Sequence, residues 1–161
     1  MKRTAAALLS LATIVACSKP PAGPFAAPCV TGGPANPLLD GATFAPALKV
    51  DLACTSHSAS GLYYRDIMIG TGAEVKTGTQ ASVKYDGTLV DGARFDAGTY
   101  PVNVGAHRVI PGWDEGLVGM RVGGVRQLII PPDLAYGAEG RPPAIPPSSI
   151  LVFTVEILSA Q

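Results

Sequence analysis

Glycine and proline break this chain at short intervals, with nineteen of the one and fifteen of the other among 161 residues. Proline fixes a backbone angle and removes a donor, and glycine raises the entropic cost of ordering. A chain so punctuated is turn-rich and strand-based, with a loose Pro/Gly segment and no long helices. Its length leaves room for one domain plus appendages, because a single core typically occupies about 100–150 residues. Twelve basic and twelve acidic side chains cancel. No electrostatic footprint for nucleic acid is visible, and none is expected as a partner.

The first sixteen residues read as an export signal: Lys2 and Arg3 give a positive start, Thr4 to Ala16 is uncharged and largely apolar, and small residues precede Cys17. The run is too short for a bilayer, which needs about 20 apolar residues. Ile14-Val15-Ala16-Cys17 resembles a bacterial lipobox, in which cleavage before the cysteine leaves its thiol to be acylated. The alternative is an ordinary signal peptide cut after Ala16. Several acyl chains at Cys17 would anchor the chain stably to a membrane where one is marginal. Ser18 points, by analogy with lipoprotein sorting, to an outer membrane and a periplasm-facing protein. Cys29 and Cys54 remain, an even pair in an oxidising setting. They form either a disulfide, worth roughly 3–4 kcal/mol in the chain-entropy model, or two thiols. His57 and His107 stand apart, so neither a metal nor a cofactor is expected.

Residues 17–42 are read as the lipidated cysteine and a disordered Pro/Ala/Gly-rich linker, and 43–61 as an N-terminal extension. Within the extension Leu48, Val50, Leu52 and Cys54 alternate with Lys49, Asp51 and Ala53, the pattern of a half-buried strand packed on the domain. The organised domain spans 62–161. Leu62 to Ile69, Ala81 to Val90, the return through Ala93-Arg94-Phe95, Val125 to Ile130 and Ile150 to Leu158 read as about five strands of an antiparallel sheet. Asp91-Gly92 predicts a two-residue hairpin turn of the primed kind. Trp113, Leu117 and Met120 recur at helical spacing between Pro111-Gly112 and Gly123-Gly124. They predict one helix of about two turns that must lie on the sheet, with Gly116 and Gly119 allowing close approach. The fold class is therefore α+β.

The stretches Val109 to Leu117, Ile130 to Gly137 and Ile145-Pro146-Pro147, preceded by Val83-Lys84-Tyr85-Asp86-Gly87 and Phe95-Asp96, resemble the FKBP-type peptidyl-prolyl isomerases. Five separated motifs fall in the family's order over about residues 62–161. The resemblance implies a curved antiparallel sheet wrapped over the short helix, with a shallow apolar pocket between them. By position Trp113 forms its floor, Tyr85, Phe95, Val109, Ile110, Tyr136 and Phe153 its walls, and Asp96 sits beside Tyr85. The resemblance also implies that Tyr136 bonds one substrate carbonyl and the Ile110 N–H another, that Ile145 belongs to a loop over the pocket, and that macrolides of the family's type are ligands. Two departures stand out. The segment after Asp96 is short and lacks the arginine that pairs with the aspartate in many members, and the usual aromatic of the next strand is matched only approximately, by Tyr100.

Such a pocket suits a definite chemistry. A peptide bond resists rotation by about 18–20 kcal/mol because the nitrogen lone pair is delocalised into the carbonyl, and isomerisation at proline takes tens to hundreds of seconds unaided. The planar amide is more charge-separated than the twisted one, so transfer into an apolar site disfavours the starting form relative to the barrier top. No nucleophile is needed, only an aromatic slot for the ring and oriented carbonyl partners. The expected activity is isomerisation of X-Pro bonds in unfolded or partly folded exported proteins, by a monomer. The rival is a module that binds proline-containing segments as chaperone or adaptor with little turnover.

Overall fold

The computed structural model describes residues 36–161. The expected signal peptide, Cys17, Cys29 and most of the linker lie outside the described residues. Six strands, β1 (Ser56–His57), β2 (Tyr63–Met68), β3 (Gln80–Leu89), β4 (Arg94–Asn103), β5 (Val125–Ile130) and β6 (Leu151–Ala160), form one sheet in the order β1-β2-β5-β6-β3-β4. Every pairing is antiparallel. The strand beyond the expected five is β1, two residues that pair Ser56 with Tyr64 and His57 with Tyr63.

Each face of the sheet carries a buried apolar cluster. On the inner face Leu128, Ile130, Phe153, Val155, Ile157 and Val83 pack with Trp113, Leu117 and Met120. On the outer face Tyr63, Ile129 and Val152 pack with Leu39, and Phe44, Leu48, Val50 and Leu52 close over them. The extension therefore forms a second layer, although not as a strand. It comprises a helical turn, α1 (Pro37–Asp40), then 3-10 turns at Pro46–Leu48 and Leu52–Cys54. Leu48, Val50, Leu52 and Cys54 are half-buried while Lys49, Asp51 and Ala53 are exposed, so the alternation reports burial correctly. Pro46 opens the first turn and Lys49, with φ 50°, reverses the chain after it, which no extended strand allows.

The β3–β4 connection also differs from the expected two-residue turn. Leu89 N–H donates to Ala93 O at 2.9 Å and Gly92 N–H to Leu89 O at 3.0 Å. Gly92 alone in this loop has positive φ, at 89°, so Val90–Gly92 is a three-residue loop closed by a left-handed glycine. The helix α2 (Pro111–Gly116) is short, as expected, but ends before Leu117 and Met120, which follow in turns. Gly112 and Gly116 provide its close approach: a Cβ on either would lie 2.5 Å from Ile130 Cγ2 or 2.7 Å from Leu128 Cδ2. Gly119, expected to do the same, faces open space and instead turns the chain at φ 80°. The buried Arg126 guanidinium ties α2 to the sheet, donating to Gly116 O at 2.9 Å and Val118 O at 3.2 Å while paired with Asp66 at 2.7 Å. A cation there complements the carbonyl end of the helix.

Candidate active site

Alternation along β3 places Tyr85 and Gly87 on the inner face, where Gly87 pairs with Asp96 of β4 on one side and Phe153 of β6 on the other. Trp113 rises from α2 to meet them. Its ring is edge-on to Tyr85 at 5.1 Å and to Phe153 at 5.3 Å, and Phe153 is edge-on to Phe95 at 5.4 Å, the arrangement that aromatic quadrupoles favour. The indole N–H finds no acceptor among the described residues, so packing alone holds the ring. Above this cluster opens a pocket of about 380 Å³, lined by Tyr85, Phe95, Asp96, Tyr100, Val109, Ile110, Trp113, Tyr136 and Phe153, with Arg108 and Arg141 beside them.

Two loops shape the mouth. The first, after β4, is pinned by Asp114 of α2, whose carboxylate accepts from Gly105 N–H at 2.8 Å and His107 N–H at 2.9 Å. Asp114 thereby sets the backbone that delivers Arg108, Val109 and Ile110. The Ile110 N–H donates to no group among the described residues. The second loop carries Tyr136 and is closed by Arg141 N–H to Ile145 O at 2.8 Å and Ile145 N–H to Arg141 O at 3.0 Å. Ile145 is buried in the core. It lines not this pocket but an adjoining hollow of about 340 Å³ that shares Phe95, Asp96, Tyr136 and Arg141.

Asp96 accepts the Tyr85 hydroxyl at 3.0 Å and enters no ion pair among the described residues. Burial first, then this bond to Asp96, holds the Tyr85 pKa above the ordinary tyrosine value. The short segment after Asp96 is uninterrupted strand, pairing residue by residue from Asp96–Gly87 to Tyr100–Val83. Tyr100 lines the pocket yet is 44% exposed.

A larger hollow, about 540 Å³, shares only Tyr85 with this pocket. Its other lining residues, Lys84, Asp86, Arg94, Thr154 and Glu156 among them, include no aromatic side chain, so it lacks the ring-stacking surface that Trp113, Phe95 and Phe153 give the smaller pocket. Gly87 and Asp114 are contributors that the sequence reading left without a role in the site. A glycine inside a strand signals close packing, and here a Cβ would stand 2.7 Å from Phe153 Cε1 and 2.8 Å from Phe95 Cζ. No sequence signal distinguishes Asp114 from a residue placed for the helix dipole.

Fold and pocket define a domain with an open apolar cup floored by an indole, with Tyr136 and the Ile110 backbone among its lining. The sequence model of the FKBP-type peptidyl-prolyl cis-trans isomerases matches residues 72–158. FK506-binding protein 1A of Emericella nidulans is 49% identical over 88 residues, covering 52% of this chain and 82% of that protein. FK506-binding protein 4 of Dictyostelium discoideum is 47% identical over 103 residues, covering 62% of this chain and 28% of that longer protein. The crystal structure of AtFKBP13 superposes with a TM-score of 0.62 and 35% identity, over 66% of this chain and 98% of that one. The chain belongs to the FKBP-type peptidyl-prolyl cis-trans isomerase family.

Proposed function

We propose that this protein accelerates cis/trans isomerisation of X-Pro bonds in unfolded or partly folded exported proteins. The observation that carries the reading is the open aromatic cup: Trp113 at 5% exposure beneath Tyr85, Phe95 and Phe153, with about 380 Å³ above it. A pyrrolidine ring seated on the indole loses water, and its amide with it. The charge-separated planar form is then disfavoured relative to the twisted one. Tyr136 and the Ile110 N–H are proposed to hold the flanking carbonyls, and Asp96 to fix the Tyr85 ring. A ten-thousandfold acceleration requires about 5.5 kcal/mol of preference for the twisted amide.

A proline-limited peptide assay tests this. Trp113→Leu should keep the strand signature in circular dichroism while kcat/KM falls on the order of a hundredfold. Wild-type rates equal to the spontaneous rate would refute the reading. They would favour the rival, a proline-segment binder with little turnover, for which the exposure of Tyr100 and the lack of an ion pair to Asp96 among the described residues speak. FK506, named in the relatives, is proposed as a ligand of the same cup, and quenching or shift of the single tryptophan's emission reads its binding.

The reading extends to the whole chain: export by residues 1–16, acylation of Cys17, attachment to a bacterial outer membrane facing the periplasm, a Cys29–Cys54 disulfide and a monomeric state. The lipobox-like Ile14-Val15-Ala16-Cys17 and the even cysteine pair support it. Intact-mass spectrometry before and after reduction, with membrane fractionation, tests anchor and disulfide together.

A further inference from the structure

Two guanidinium groups stand at the mouth of the aromatic pocket with no ion-pair partner among the described residues. Arg94, Arg121 and Arg126 are paired with Asp86, Glu74 and Asp66, and Arg65 donates to Lys49 O and Gln127. Arg108 and Arg141 enter no ion pair or side-chain hydrogen bond among the described residues. Arg141 only lies over the Tyr136 ring, 5.9 Å from its centre. Their backbones, by contrast, are held. His107 N–H is fixed to Asp114 directly before Arg108, and Arg141 is paired with Ile145 in both directions. Of the acidic groups only Asp96 shares the pocket lining, and the Tyr85 hydroxyl is bonded to it. The chain is neutral as a whole, yet this mouth carries two positive charges against one negative.

We propose that Arg108 and Arg141 select X-Pro segments bearing a carboxylate side chain next to the proline. This rests on the reading of the cup as a seat for the prolyl ring and deepens it by naming the substrate class. A guanidinium takes a carboxylate through two parallel hydrogen bonds, and a lysine in the same place meets two like charges. Both arginines are exposed, so each contact is worth about two- to fivefold in affinity and the pair on the order of tenfold.

The experiment uses the full chain and two series of proline peptides, with Glu, Leu or Lys directly before the proline or directly after it. In at least one series kcat/KM should fall in the order Glu, Leu, Lys. The Glu-to-Lys ratio should be about tenfold at about 0.02 M salt and approach one at about 1 M. The double reversal R108E/R141E should invert the order. Lys peptides turned over as well as Glu peptides in both series, or a ratio indifferent to salt and to the reversal, would overturn the proposal. Should R108E/R141E not fold, R108Q/R141Q and the wild-type salt series decide alone. Should no peptide be turned over, the isomerase reading falls, and the same peptides titrated against Trp113 fluorescence decide the charge selection, with Glu expected to bind more tightly than Lys.

Discussion

A methyl group at Gly87 would need the space that the Phe95 and Phe153 rings already fill, at 2.8 and 2.7 Å. Neither ring can retreat freely, since Phe153 is wedged against Trp113 and Phe95 against Phe153. Gly87→Ala should therefore cost about 1–3 kcal/mol in urea denaturation, as overpacking does, and lower kcat/KM ten- to a hundredfold by displacing the pocket walls, on the order expected for misplacement by about 1 Å. A variant with wild-type kinetics would show that those walls do not set the rate. Tyr85 gives a test in pH. Its hydroxyl titrates above the ordinary tyrosine value, through burial first and the bond to Asp96 second. A group whose pKa is raised in the fold stabilises fully below its unfolded value, near 10 for tyrosine, and the contribution is lost as pH rises through the folded value. Tyr85→Phe should thus be less stable than wild type at neutral pH, toward the lower end of about 0.5–1.5 kcal/mol because Asp96 is exposed. Denaturation at neutral and strongly alkaline pH should show the gap closing above about pH 10. A gap that widened there would contradict the assignment.

At the level of elements, the layer on the outer face of the sheet adds a second buried cluster to that of the inner face. Leu39 is fully buried against Tyr63, Ile129 and Val152. The Tyr63 hydroxyl locks α1 in place, accepting from Asn36 N–H at 2.8 Å and donating to Asp40 at 2.9 Å. Leu39→Ala should lower stability by about 2–5 kcal/mol, the range for a buried leucine, and thermal melts would show it. A loss no larger than that of a surface substitution would mean that the extension is a detachable tether. β2, β3, β5 and β6 were readable in the sequence because β-branched and aromatic residues are frequent in them and one or both faces are apolar, with glycines after β2 and β3 and before β5. Residues 48–54 were misread for a physical reason: alternation records which side chains are covered, and two short 3-10 turns lying on a surface cover every second residue as a strand does. Pro46 was the available warning. In the pocket the aromatic residues stood out by motif. Gly87 and Asp114 did not, since their contributions, a gap for two rings and an anchor for two amides, exist only once the strands and the loop after β4 have come together.

Over the molecule as a whole, the order β1-β2-β5-β6-β3-β4 makes the last strand the keystone. β6 is the only neighbour through which β5 reaches β3, and its ladder with β3 is extended by the reciprocal bonds of Gln80 and Gln161 at 3.0 and 2.9 Å. Leu151, Phe153, Val155 and Ile157 supply the inner core from β6, and Phe153 supplies a pocket wall. Without them the sheet falls into β1-β2-β5 and the β3–β4 hairpin, each with an unpaired edge and one uncovered apolar face. Two such pieces bury too little to offset their ordering entropy, about 1–2 kcal/mol per residue for the backbone alone. A chain stopped after Pro147 should therefore show no strand signature in circular dichroism, and Trp113 should emit as a solvent-exposed indole. A chain beginning at Asn36 should melt cooperatively with Trp113 buried. Because β6 must pair across the whole intervening sequence, refolding of the latter is expected in the millisecond-to-second range of domains dominated by non-local strand pairing, and stopped-flow tryptophan fluorescence would read it. A cooperative transition in the chain lacking β6 would refute this account of how the pocket is assembled.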